Sequence, residues 1–199
     1  MSISRRISIA WSGGPPAEDT DTVVLTGHTY FVDVRIKTDT SPPSLDWAFA
    51  GQRSSEPGLQ EGELMCTWLH AVDSRSTQPV EDSGIVTVDT DDPLKSVERG
   101  IMLNPASGLI ESHQETWHDD ALPVGTLVAF FERADGQAFV GVVGATKQGV
   151  GWDFAWRVVD DTVVYQTGPV DGLDVVVSGD EQVGESVGEW IVREIWRTQ

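Results

Sequence analysis

From end to end the chain falls into short runs in which apolar and polar residues alternate, parted at spacings of about 8 to 12 residues by glycine, proline, aspartate or asparagine. Alternation of this kind marks a strand with one face in and one face out. No stretch of useful length carries an apolar stripe at the 3.6-residue period of a helix. Many short strands leave two architectures, sandwich or barrel. Closure is the better solution, because an open sheet presents unpaired edge groups that invite association. The expected fold class is all-β.

Two echoes divide the chain. Leu45-Asp46-Trp47-Ala48-Phe49-Ala50-Gly51 returns loosely as Gly151-Trp152-Asp153-Phe154-Ala155-Trp156, and Gln114-Glu115-Thr116-Trp117-His118 returns as Arg193-Glu194-Ile195-Trp196-Arg197. The order is kept, which predicts one β-design used twice: two antiparallel β-barrels in tandem, over residues 1–120 and 121–199. The spacing predicts a loop over 54–62, strands over 173–178 and 186–197, and a hairpin turning on Asp135-Gly136. Within the stretch from His28 to Lys37, Tyr30, Val32, Val34 and Ile36 share one face while Phe31, Asp33, Arg35 and Lys37 share the other. That pattern predicts a half-buried strand.

Composition excludes several partners. A net charge of −19, from 32 acidic and 13 basic side chains with no basic run, repels phosphate backbones and anionic lipid surfaces, so neither nucleic acid nor membrane is expected. No apolar run approaches the roughly 18 residues of a membrane span, and the start of the chain alternates like a strand instead of forming a signal sequence. The single cysteine, Cys66, excludes an intramolecular disulfide and fits a reducing compartment. A cytoplasmic protein is expected. Eight tryptophans in 199 residues require a folded interior, since each ring buries roughly 150–250 Å².

Candidate chemistry concentrates on 109–118, where both faces carry polar groups. Alternation sets Glu111, His113, Glu115 and Trp117 on one face with neighbours about 6.6 Å apart, too far for a dependable His-Glu bond but close enough to converge on one guest. His113 and Glu115 are the candidate acid-base pair, provided burial brings their pKa values toward neutrality. A charged edge strand would account for the same letters. Cys66, Trp68 and His70 also share a face, but Cys66 and His70 stand roughly 13 Å apart, beyond the reach of a nucleophile and its base. Tyr30, Trp47, Phe49, Trp68, His70 and Trp117 are the candidate ligand-binding wall, with plain core as the alternative. The four histidines lie on three strands without paired metal spacing, so no metal site is expected. Gly141-Val142-Val143-Gly144-Ala145-Thr146-Lys147 lacks the order of a phosphate loop, and with no dinucleotide fingerprint no cofactor is expected.

Asp46-Trp47-Ala48-Phe49-Ala50-Gly51, the Cys66-Thr67-Trp68-Leu69-His70 strand, the acidic turn into Gly84 and the closing Gln114-Glu115-Thr116-Trp117 resemble the fungal Hri-type family, most clearly over 28–118. That family is named for interaction with a casein-kinase-1-type protein kinase. The resemblance implies two lipocalin-like β-barrels in tandem and a pocket for a hydrophobic small molecule. By analogy of fold it extends to a cofactor-free cyclase or isomerase of fungal secondary metabolism. The alternatives are a noncatalytic ligand carrier, or an adaptor without a ligand whose partner is a kinase or a second copy of itself. No residue of this sequence matches a docking motif.

Overall fold

Alternation builds fifteen antiparallel strands and no helix among the residues described by this computed structural model, 2–175 and 177–199; Met1 and Val176 lie outside them. The first eight strands are β1 (Ser2–Trp11), β2 (Thr20–Thr26), β3 (Tyr30–Lys37), β4 (Ser44–Pro57), β5 (Glu63–Asp73), β6 (Val80–Val88), β7 (Lys95–Leu103) and β8 (Ile110–Asp119). Each pairs with the next, and β8 returns to β1, so the barrel is closed. The remaining strands are β9 (Leu127–Arg133), β10 (Ala138–Val143), β11 (Thr146–Gly151), β12 (Ala155–Val159), β13 (Thr162–Thr167), β14 (Ser186–Val187) and β15 (Trp190–Arg197). They form a seven-stranded antiparallel sheet in the order β13-β12-β11-β10-β9-β15-β14.

Local chemistry accounts for the boundaries. Gly136 takes a positive φ of 73° and its N–H bonds the Arg133 carbonyl, closing the expected β9–β10 hairpin. The expected loop over 54–62 is instead occupied by β4 as far as Pro57, because a bulge between Ala50 and Gly51 resets the register and lets the strand run on. Gly51 is required there: a Cβ would sit 2.1 Å from the Leu69 carbonyl oxygen of β5. The expected strand over 173–178 is not formed by its described residues, and Val176 lies outside them. The expected strand over 186–197 is interrupted at Gly188, whose φ is 63°, dividing it into β14 and β15.

The strand read as half-buried is buried on both sides. Val32, Val34 and Ile36 of β3, with Val23 and Leu25 of β2 and Ala48 and Ala50 of β4, pack outward against Val128, Phe130, Phe139 and Val150 of the second sheet. Their partners on the other face, Phe31, Asp33 and Arg35, point into the barrel. The main apolar core therefore lies between barrel and sheet, and the barrel interior sets charged side chains among aromatic and aliphatic ones. A second apolar layer, including Phe131, Val140, Trp156 and Trp190, lies on the other face of the sheet, covered by Leu173, Val175 and Val177.

Polar contacts fix the junction. A register shift between Val192 and Glu194 of β15 turns the Glu194 carboxylate onto the β2–β3 turn, where it accepts the backbone N–H groups of His28, Thr29 and Tyr30 at 2.8, 2.6 and 3.0 Å. Arg157 of β12 donates to Asp21 at 2.7 Å and to the Val34 carbonyl, and Gln148 of β11 donates to the Val23 carbonyl at 3.0 Å.

Candidate functional site: a charged and aromatic barrel lumen

Inward alternation on the eight strands encloses a cavity of about 360 Å³. Phe31, Phe49, Trp68 and Trp117 give it aromatic walls, while Asp33, Arg35, Asp82, Glu98, His113 and Glu115 give it charge. The volume falls within the range of small-molecule sites, about 300–1,000 Å³.

Glu115 is the hub of a buried ion network. Its carboxylate accepts Arg6 Nη1 at 2.6 Å and lies 3.5 Å from Arg35 Nη1. Arg6 also bonds Glu18 at 2.6 Å and Thr20 at 3.0 Å, and Arg35 bonds Asp33 at 2.9 Å. Burial pulls the Arg6 pKa down, but Glu18 and Glu115 outweigh it and hold the pKa above its ordinary value. Burial likewise pushes Asp33 up despite Arg35. Glu18, Asp33 and Glu115 thus surround the two guanidiniums of β1 and β3, and Glu115, which reaches both, is committed to holding them.

His113 faces a different carboxylate. Its Nε2 stands 3.9 Å from Glu98 Oε1, and Glu98 lies directly across the β7–β8 ladder from Glu115. Burial lowers the His113 pKa, yet Glu98, Glu115 and Asp82 together raise it above the usual value. Burial, and then the neighbouring Glu115, raise Glu98. Gly100, opposite His113 in the ladder, leaves room for the ring: a Cβ there would lie 2.7 Å from the imidazole.

A third group orients His70. Asp73 accepts the Trp47 indole N–H at 2.8 Å and the Arg75 backbone N–H at 2.7 Å, and its other oxygen lies 2.9 Å from His70 Nδ1. Burial opposes ionisation of Asp73, but these hydrogen bonds prevail and lower its pKa. The His70 ring stacks on Phe49 at 4.0 Å, and the Arg35 guanidinium lies over Trp47 at 4.8 Å and over Phe49 at 5.1 Å.

Of the sequence-predicted wall, Phe49, Trp68, His70 and Trp117 line the cavity. Tyr30 does not. Its parity puts it on the outer face of β3, where its ring is 6.3 Å from Phe139 of the second sheet, a correction that follows from which face the barrel closes on. Trp47 stands behind Phe49 without lining the cavity, 4.3 Å from it between ring centres. Glu111 sits at the rim and bonds Ser12 and Ser107. The strand carrying His113 and Glu115 is interior to a closed barrel, so an exposed edge does not explain its charges. Cys66 is a buried thiol whose pKa burial raises, opposite to what an activated nucleophile needs.

Sequence reasoning missed Glu98, Asp82, Asp33 and Arg35 as lumen residues. The signal was present, since β7 alternates Ser96, Glu98, Gly100 and Met102, but only the ladder places Glu98 against β8. Glu98, His113 and Glu115 bring one donor atom each within 4.8 Å, close enough to consider a metal. The chemistry disfavours one: two guanidiniums already attend Glu115, and His113 Nδ1 has no hydrogen-bond acceptor to orient the ring as metal-bound histidines require.

The architecture has a solved counterpart. The crystal structure of an uncharacterized protein, YLR301w, from Saccharomyces cerevisiae aligns with a TM-score of 0.76 over 98% of each chain, at 14% identity, a likeness that speaks for the fold alone. No curated protein matches the sequence significantly. The family model described as Protein HRI1 matches residues 2–161, which takes in the whole barrel and continues through β12. With most of its length matched in that way, and with the resemblance carried by Asp46 to Gly51 inside the matched region, the chain belongs to the HRI1 protein family.

Proposed function

We propose that the protein is a small-molecule receptor whose guest occupies the barrel lumen. The observation that carries this reading is a cavity of about 360 Å³ whose wall sets aromatic rings beside charged side chains. The guest is therefore amphipathic, with an apolar body between the aromatic walls and polar atoms facing the charged ones. The compartment we propose is the cytoplasm, where Cys66 remains a thiol.

Turnover without a cofactor is the sharper form of this reading, and the contact between His113 and Glu98 favours it. That pair lines the cavity while Glu115 is held by two arginines, which supports proton transfer to a guest through His113 and Glu98. A fold-compatible test of occupancy uses Ser96, which lines the cavity opposite Trp117. The neutral fluorophore prodan should bind the parent protein, and Ser96→Phe should weaken binding about tenfold or more while leaving the far-ultraviolet spectrum unchanged. Equal binding by a well-folded Ser96→Phe would place the guest elsewhere and end the receptor reading. For the catalytic form, His113→Ala and Glu98→Gln should each lower turnover by about 10².

A further inference from the structure

Five carboxylates line the cavity, against Arg35, Arg53 and Lys95. Arg35 is spent on Asp33 and Glu115. Asp119 is held by the Ser4 hydroxyl at 2.6 Å. That leaves Asp82 and Glu98, and neither has a lysine or arginine within ion-pairing distance among the described residues. Arg53 and Asp82 lie on opposite sides of Trp68 in the β4-β5-β6 ladder, two strand spacings or about 10 Å apart, and the Arg53 guanidinium is turned to Cys66 Sγ at 3.6 Å. Lys95 precedes Glu98 by three residues on β7, about 10 Å along the strand.

The arrangement is costly without a guest. Glu98 is set directly opposite Glu115, and whereas Arg6 and Arg35 attend Glu115, Glu98 itself has only His113 at 3.9 Å. Asp82 is directly opposite Trp68, so a carboxylate and an indole share one face of neighbouring strands. Carboxylate beside aromatic face is the pairing that recognises an ammonium group, through charge, hydrogen bonds and the ring quadrupole together. The charge balance points the same way: five carboxylates line the cavity against three lysine and arginine side chains, of which Arg35 is already paired. The lumen is short of positively charged donors.

We infer that the guest is an organic cation, an apolar body lying against Trp68 and Trp117 and carrying a protonated amine that Asp82 holds beside Trp68, with Glu98 adding negative charge from the neighbouring strand. This rests on the receptor reading and specifies its ligand class. The amine supplies the positively charged donor that Asp82 lacks, and its charge offsets the excess of carboxylates in the lumen.

The test compares three probes that share one ring system: 2-naphthylmethylamine, 2-naphthylmethanol and 2-naphthoate, titrated calorimetrically at neutral pH. The amine should bind about tenfold or more tighter than the alcohol, with the carboxylate weakest. Asp82→Asn combined with Glu98→Gln should abolish the preference for the amine while leaving alcohol binding in place. Equal binding of amine and alcohol by the parent protein would overturn the cation assignment and leave the receptor reading standing. Tightest binding by the carboxylate would also overturn it, assigning the lumen to anions through Arg53 and Lys95. Failure of all three to bind would remove the receptor reading itself for aromatic guests. The double variant is expected to fold, because it removes buried like charges and keeps side-chain shape.

Discussion

Glu115→Gln distinguishes a carboxylate that braces the barrel from one that carries protons. The side chain is 2% exposed, accepts Arg6 at 2.6 Å and lies 3.5 Å from Arg35. Glutamine keeps the shape and one acceptor oxygen but removes the charge, so a charge-assisted bond becomes an ordinary one, a loss of about 1–2 kcal/mol. Complete loss of one partner from a buried ion pair costs about 3–5 kcal/mol. Glu18 and Asp33 still attend the two guanidiniums, which keeps the expected loss near 2 kcal/mol. For a chain of 199 residues that corresponds to a fall of about 4–8 °C in Tm. Glu98→Gln is the control. It removes the carboxylate facing Glu115 across the ladder and should leave stability unchanged or higher. Urea titrations followed by tryptophan fluorescence, with calorimetry in parallel, measure both. A Glu115→Gln protein as stable as its parent, beside a Glu98→Gln protein that loses about 2 kcal/mol, would refute the division of labour between the two glutamates.

Glu194→Ala should cost about 2–4 kcal/mol, because three backbone N–H groups at the barrel-sheet junction lose their acceptor, and hydrogen exchange should show the amides of His28, Thr29 and Tyr30 losing protection. The Asp82→Asn and Glu98→Gln double variant should diverge from the parent as pH rises. Burial raises both carboxyl pKa values in the folded state, so their stabilising contribution is complete below the ordinary carboxylate range and is lost as pH climbs through the raised values. Thermal scans should therefore give similar Tm values near pH 4 and a higher Tm for the double variant near pH 7, and a gap that shrinks with rising pH would contradict the assignment.

Much of the site was legible strand by strand. Parity alone put His113, Glu115 and Trp117 on one face of β8, and Trp68 with His70 on one face of β5. It also separated Phe31, Asp33 and Arg35 from Val32, Val34 and Ile36, but it carried no statement about which set faces inward. The usual assumption that the apolar set lines a barrel is reversed here, because a second sheet covers the outside of β2, β3 and β4. Tyr30 was misplaced for that reason. Glu98 was overlooked because its relation to Glu115 is a cross-strand register, set by the turn joining β7 to β8 and invisible in either strand by itself.

The two Glu-x-Trp echoes show where local pattern stops and assembly begins. Both fall on a late strand of their own sheet, β8 and β15, and in both the glutamate is buried, since the same alternation and the same residue sizes operate in each. Glu115 meets two arginines in a closed lumen, whereas a bulge in β15 turns Glu194 out to three backbone N–H groups of the other unit. Strand identity, spacing and parity follow from the order of apolar and polar side chains along the chain, because backbone pleating has a fixed period of two. Inside and outside, the partner of each buried charge and the volume left for a guest depend on closure, register and the second sheet, which are long-range contacts that no local period encodes.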